Sequence, residues 1–224
     1  MDASSSPRKA LLAGATGLVG SALLPMLRDS PRYGEVHVLL RRKVDLPPHE
    51  KVRVHVVDFT QLSSDLSDLP SLDDAYIALG TTIKVAGSQA AFRQVDFDFV
   101  VNTARAARER GATRLGVVSA AGANVDSRVF YSRVKGEMQA AVAQLGFESV
   151  TFAQPALLLG DRVALGQPKR SGEVWAERLF APIGWLVPKG IRPIHARDVA
   201  AALMAATLEG KRGVQMLSSG AMQP

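Results

Sequence analysis

The stretch Leu11-Leu12-Ala13-Gly14-Ala15-Thr16-Gly17-Leu18-Val19-Gly20-Ser21 decides how the chain folds. A short apolar run, Lys9 to Ala13, leads into it, and Leu18 to Leu27 leads out with apolar residues at helical spacing. The pattern is strand, glycine turn, helix. Gly14 permits the tight turn, Gly17 lets the backbone come close to a pyrophosphate, and Gly20 lets the helix pack against the strand. The helix start then offers unpaired N–H groups and the positive end of its dipole to the phosphates. Gly14, Ala15, Thr16, Gly17, Leu18, Val19 and Gly20 are therefore candidate dinucleotide-binding residues.

Outward from this turn, strand-like and helix-like runs alternate. Glu35 to Leu40, Val52 to Phe59, Ala75 to Leu79, Leu115 to Ser119, Val150 to Leu159 and Val214 to Leu217 read as strands. Ala90 to Arg110 and Val129 to Leu145 read as helices, ended by Gly111 and Gly146, and Val199 to Leu208 reads as a late helix. Several strands are continuously apolar, which suits a parallel sheet with helices on both faces. The expected fold is α/β: a doubly wound, mostly parallel sheet of the Rossmann type with a small C-terminal substrate-covering region. Residues 1–224 form a single domain on this reading. Gly160 to Ile194 is rich in Gly and Pro and holds both tryptophans, Trp175 and Trp185. Such a segment reads as a substrate loop or lid, or as a packed excursion covering the sheet edge.

Composition narrows the classes. With 47% apolar and 21% charged residues, the chain resembles ordinary globular proteins. No uncharged apolar run reaches membrane-spanning length, and the first residues carry no secretory pattern. There is no cysteine, which removes disulfides, thiolate metal sites and thiol nucleophiles and fits a cytoplasmic location. The net charge of +6 comes from scattered basic residues without interleaved aromatics, so no nucleic-acid partner is expected. His37, His49, His55 and His195 show no metal-ligand spacing, so no metal site is expected. His37 and His55 read as packed or surface residues, and His195 as part of a helix-capping turn with Asp198.

The end of the second strand bears on cofactor choice. A carboxylate there would bind adenosine ribose hydroxyls, but the chain reads Val38-Leu39-Leu40-Arg41-Arg42-Lys43. Arg41 and Arg42 suit a 2′-phosphate, which favours NADP(H) over NAD(H). Asp58 and Phe59 end the third strand; Asp58 could accept from the adenine amino group or could cap a helix or a turn.

A second constellation lies further on. Tyr131 and Lys135 in Tyr131-Ser132-Arg133-Val134-Lys135 fall on one helix face, a turn apart. A nearby ammonium lowers a phenol's pKa and makes it a usable acid or base. Ser119 ends the fifth strand, where ligand crevices lie in such sheets, and its hydroxyl could hold a substrate carbonyl. No Gly-x-Ser-x-Gly elbow surrounds Ser119, which argues against a hydrolase.

With these motifs in order, the chain resembles the short-chain dehydrogenase/reductase superfamily from about Lys9 to about Ser218, nearest to the atypical branch that includes the Tat-interacting oxidoreductase-like proteins. The further stretches behind that likeness are Ala78-Leu79-Gly80-Thr81-Thr82, Phe92-Arg93-Gln94-Val95-Asp96, Tyr131 to Glu137, Gln154 to Arg162, and Pro193 to Ala200. The resemblance implies that Tyr131 protonates a carbonyl oxygen during hydride delivery. It implies that Lys135 binds the nicotinamide ribose and depresses the phenol, and that Ser119 orients the carbonyl. Leu79, Gly80, Thr81 and Thr82 would line the cofactor, and Pro155, Ala156, Leu157 and Leu158 would contact the nicotinamide. The family's relay Asn has no assigned counterpart: Asp96 aligns nearest, and Asn102 lies further along the same helix. Gln154 stands where relatives often have Arg.

Two further functions stay open at this level. One is an NADP(H)-binding regulator or assembly factor with little turnover. The other is a nucleotide-sugar epimerase or dehydratase, disfavoured by the small C-terminal region. The expected partner is a small-molecule substrate, with the chain a monomer or homodimer.

Overall fold

The computed structural model describes residues 7–159 and 192–223. The expected substrate loop, residues 160 to 194, falls almost wholly outside the described residues, as do both tryptophans.

The first strand, β1 (Arg8–Ala13), runs into α1 (Leu18–Asp29) through the glycine turn. Then come β2 (Tyr33–Leu40), β3 (Val52–Val56), the single-turn α2 (Leu62–Asp65), β4 (Asp74–Ile77), the single-turn α3 (Ile83–Ala86) and α4 (Gln89–Arg93). A π-helical turn at Gln94–Asp98 joins α4 to α5 (Phe99–Glu109). After β5 (Arg114–Val118), α6 (Phe130–Ala143) and β6 (Ser149–Gln154) come two short strands, β7 (Leu158–Leu159) and β8 (Ile194–His195). The chain continues through α7 (Ala196–Glu209), β9 (Gly213–Ser218) and a 3₁₀ turn at Ser219–Met222.

The main sheet has seven strands in the order β3-β2-β1-β4-β5-β6-β9, and every neighbouring pair is parallel. This is the doubly wound Rossmann arrangement. Consecutive strands move outward from β1 in one direction, and the order then reverses to β4. Above the carboxyl ends of β1 and β4, helices leave in opposite senses and a crevice opens.

The continuously apolar strands have a direct explanation. In β1, Ala10 and Leu12 join a core with α1 and α7, while Leu11 and Ala13 join a second core with α5 and α6. The inner strands therefore alternate between two buried faces rather than between core and water, while the edge strands β3 and β9 are partly exposed. Close layer packing is also visible at Gly116 in β5. A Cβ there would stand 2.5 Å from Thr207 Oγ1 on α7.

The element boundaries differ from the sequence reading in places. The strand expected over Val150 to Leu159 stops at Gln154, because Pro155 has no N–H to continue a ladder. Its carbonyl instead accepts from the Ala121 N–H at 3.0 Å, tying the loop after β6 to the loop after β5. The strand expected over Val52 to Phe59 ends at Val56, and that over Ala75 to Leu79 ends at Ile77. The helix expected over Ala90 to Arg110 starts at Gln89, where Ser88 Oγ accepts from the Ala91 N–H at 3.1 Å. Its interior widens into the π-turn, a departure that apolar periodicity does not reveal. His195 stands at the N-cap position of α7 without a side-chain capping bond, so the expected cap is not formed.

Candidate functional site

The glycine turn takes its shape from close contacts. Gly14 has φ +92, a region open mainly to glycine, and a Cβ on it would lie 2.5 Å from the Ala78 carbonyl oxygen. Gly20 is tighter still: a Cβ there would stand 2.0 Å from the Gly14 oxygen. The Gly17 N–H donates to that same oxygen at 3.0 Å. Gly17 is the N-cap of α1 and has no side chain to satisfy the first helical N–H groups, which leaves them to an anionic ligand. The cradle fits a dinucleotide pyrophosphate on these grounds.

Gly14 packs on Ala78, so the turn sits directly against the loop that follows β4. That loop carries Leu79, Gly80, Thr81 and Thr82. Thr82 is used locally, its Oγ1 accepting from the Val85 N–H to cap α3. Gly80 faces a charged pair: a Cβ there would be 3.3 Å from Asp96 Oδ1 and 3.7 Å from Lys135 Nζ. Lys135 Nζ lies 2.8 Å from Asp96 Oδ1, and both side chains are almost fully buried. The other Asp96 oxygen accepts from the Thr81 N–H at 2.8 Å. The π-turn carries Asp96, and α6 packs on that turn. The glycine turn, the β4 loop and Lys135 thus meet at the carboxyl ends of the central strands.

Tyr131 stands one helical turn before Lys135 in the partly exposed first turn of α6, its ring 5.4 Å from that of Phe92. Ser119, just past β5, is buried, and its Oγ accepts from Gln139 Nε2 at 2.7 Å. Gln139 Oε1 in turn accepts from Gln154 Nε2 at 3.4 Å. Gly136 lets the loop after β5 lie on α6, since a Cβ there would come within 2.3 Å of the Asn124 carbonyl carbon. An ion pair of Arg93 with Glu137 clips α4 to α6.

The remaining sequence candidates divide. Arg41 and Arg42 are exposed just beyond β2, and among the described residues neither guanidinium takes part in a hydrogen bond or ion pair. Asp58 is taken up by its own turn: its Oδ1 accepts from the Thr60 N–H at 2.8 Å and from Thr60 Oγ1 at 2.7 Å. Those bonds hold its carboxyl below the usual carboxylate range. The Phe59 ring lies in the core beside Phe99, and its carbonyl accepts from Asn102 Nδ2 at 3.1 Å. Asn102 therefore points away from the Lys135 pair, and Asp96 fills that place. The Leu157 carbonyl accepts from the Ile194 N–H, and Leu158 belongs to β7.

Sequence reasoning did not anticipate the roles of Gln139 and Gly136. The available signals were weak: a glycine directly after Lys135, and a polar residue one turn further on the buried side of α6.

A sequence family described as NAD(P)H-binding matches residues 14–149, more than half of the chain. A yeast relative, the mitochondrial protein FMP52 of Saccharomyces cerevisiae, is 31% identical over 218 residues, covering 93% of this chain and 92% of that protein.

The chain belongs to the NAD(P)H-binding atypical short-chain dehydrogenases/reductases.

Further relatives also match over most of both chains. Protein fmp52 of Aspergillus fumigatus, also mitochondrial by name, is 34% identical over 208 residues, covering 91% of this chain and 87% of that one. Protein HTATIP2 of Rattus norvegicus is 31% identical over 182 residues, covering 80% of this chain and 73% of that one. Among solved structures, the Bordetella bronchiseptica enzyme WbmG in complex with NAD superposes with TM-score 0.69 at 21% identity, covering 96% of this chain and 74% of that chain. A UDP-glucose 4-epimerase from Thermotoga maritima also gives TM-score 0.69, at 15% identity, with 95% of this chain and 77% of that chain covered. At such identities these structures establish the atypical member's fold alone. Among the described residues no helix is long and apolar enough to cross a membrane.

Proposed function

We propose that the protein is an NADP(H)-dependent oxidoreductase acting on a small carbonyl or alcohol at a Ser119–Tyr131–Lys135 site. The observation that carries this reading is the meeting of a buried lysine with the cofactor cradle. Gly14 packs on Ala78, and two residues further along that loop Gly80 abuts the Lys135 pair.

The reduced dinucleotide supplies the hydride. The chain's own residues do the rest. Lys135 presents an ammonium one helical turn from the Tyr131 hydroxyl, which donates the proton to the carbonyl oxygen. Ser119 Oγ accepts from Gln139, which leaves its own proton to donate to the same carbonyl. Arg41 and Arg42, exposed past β2, bind the 2′-phosphate, the basis for NADP(H) over NAD(H).

Trp175 and Trp185 are the chain's two tryptophans, so emission quenching on NADPH and NADH addition measures binding. A carbonyl screen with the tighter binder follows. The expected result is tighter binding of NADPH and a Tyr131→Phe variant that loses about a hundredfold or more of its turnover. Tight NADPH binding with no turnover across the screen would instead identify a cofactor-sensing regulator. The cysteine-free composition is the basis for placing the protein in the cytoplasm. Fractionation of a tagged chain tests this against the mitochondrion for which the fungal relatives are named.

A further inference from the structure

Three elements converge on the Ser119 hydroxyl. The Ser119 N–H donates to the Ala153 carbonyl at 2.7 Å and the Ala121 N–H to the Pro155 carbonyl at 3.0 Å, so the loops after β5 and β6 lie side by side. The Asn124 N–H donates to the Ser132 carbonyl at 3.0 Å, and Gly136 leaves room for that contact, which lays the β5 loop on α6. Ser119 and Gln139 are thereby buried against each other, with Gln154 partly buried beside them at the end of β6.

Across these elements runs a chain of side-chain hydrogen bonds with one direction. Gln154 Nε2 donates to Gln139 Oε1 at 3.4 Å, and Gln139 Nε2 donates to Ser119 Oγ at 2.7 Å. The two ends of an amide are not equivalent: with its oxygen held by one donor, its nitrogen faces the other partner. A hydroxyl has a single hydrogen. Ser119 Oγ is engaged as an acceptor, and among the described residues nothing accepts its hydrogen. Turning that hydrogen toward Gln139 would set hydrogen against hydrogen, so it is left for an oxygen outside the protein.

We propose that Gln139, oriented by Gln154, is a positioning residue that commits Ser119 to donating its hydrogen bond, so that the site selects a substrate oxygen able to accept one. That oxygen is the carbonyl, and the alkoxide-like oxygen it becomes as hydride arrives. The proposal rests on the oxidoreductase reading above. A donor already aimed where negative charge develops stabilises the transition state more than the ground state, and it needs no reorientation at the moment of reaction. In this arrangement the two amides act only through Ser119.

The test is a double-variant cycle on the turnover of a carbonyl taken from the screen above, with saturating NADPH and folding checked by circular dichroism. Ser119→Ala should lower kcat about a hundredfold. Gln139→Glu keeps the size and the acceptor but removes the donor. The Ser119 hydrogen then turns to the carboxylate, and kcat should fall about tenfold or more. Added to Ser119→Ala, Gln139→Glu should change kcat by less than about twofold, because the hydroxyl through which it acts is gone. A near-wild-type kcat in Gln139→Glu overturns the proposal, since Ser119 would then already donate to position 139. A further fall in the double variant also overturns it, since a packing or charge effect persists without the hydroxyl. If Gln139→Glu does not fold, Gln139→Met decides. About a fivefold fall that vanishes in the Ser119→Ala background is expected, and a fall that persists there overturns the proposal.

A second measurement needs no turnover. In the protein without dinucleotide, exchange of the Gln139 side-chain NH2 hydrogens with water, followed by NMR, should be about tenfold faster in Ser119→Ala, which removes their acceptor. Unchanged exchange overturns the proposal whatever the activity. If exchange responds but no carbonyl is turned over, the oxidoreductase reading fails while the direction of the chain stands, so the two failures are distinguishable.

Discussion

Among the described residues two carboxylates are wholly buried, at opposite ends of the same sheet, and they are used differently. At the amino ends of the strands, Asp74 opens β4 and receives the Arg8 guanidinium through two hydrogen bonds of 2.6 Å. Tyr33 also donates to it at 2.8 Å, and the Tyr33 and Tyr76 hydroxyls meet at 2.7 Å. At the carboxyl ends, Asp96 faces the point charge of Lys135 and one backbone N–H, beside a glycine that leaves room. A planar fork saturates Asp74 and closes that end as structure. An ammonium with three rotatable donors leaves the other end capable of engaging a further oxygen. Buried charge alone therefore does not mark a site. The openness of its partner does.

The largest effect should come from breaking the closed end. Asp74→Ala strands Arg8 and removes one partner of the Tyr33 hydroxyl, and should cost about 3–5 kcal/mol in urea denaturation. The protein that remains folded should still bind NADPH as wild type does. A variant that unfolds normally but loses NADPH binding would erase the distinction between the two ends.

Gly20→Ala attacks the open end through the backbone, since the new methyl would meet the Gly14 oxygen at 2.0 Å. Thermal and urea unfolding should show a loss near the top of the ~1–3 kcal/mol range for overpacking, with NADPH binding lost more severely than stability. Arg41→Ala/Arg42→Ala should weaken NADPH about tenfold, ~1.4 kcal/mol, and leave NADH and the melting temperature unchanged. Equal loss for both dinucleotides would remove the arginines from the 2′-phosphate role.

The smallest effect concerns a third buried polar group, on the β2–β3 side of the sheet. His37 Nδ1 lies 3.1 Å from His55 Nε2, and Glu35 sits 3.2 Å from the other His37 nitrogen. Burial lowers both imidazoles below the ordinary 6.5. The unfolded chain then binds the protons more readily than the folded one. Their contribution to stability is complete above about 6.5 and is lost as pH falls through the depressed folded values. Unfolding curves across this range should show the loss on the acid side, and His55→Gln should reduce it. A loss on the alkaline side would contradict the packing.

The alternation of apolar runs made the parallel doubly wound sheet legible, because strands covered on both faces need no polar side. Gly14 and Gly20 were legible because each performs a steric task that only glycine can perform at that spacing, whereas at Gly17 a Cβ would meet only ordinary contacts. The Tyr131–Lys135 pair was legible because helical periodicity places residues four apart on one face. Asp96 was visible only as a residue near an expected Asn, since the π-turn that carries it leaves no periodic trace. Gln139 and the Asp74 network were not legible, because their partners are far apart in sequence: Asp74 binds a residue 66 positions away.

By itself, the sequence determined the order of elements, the glycine turn and the helix face that carries the tyrosine and lysine, all of which depend on neighbours a few residues apart. Only the tertiary structure decided which carboxylate meets Lys135, which amide holds Ser119 and which buried pair is closed. Those choices are made where strands and helices distant in the chain converge, and the short-range periodicity of a sequence does not encode them.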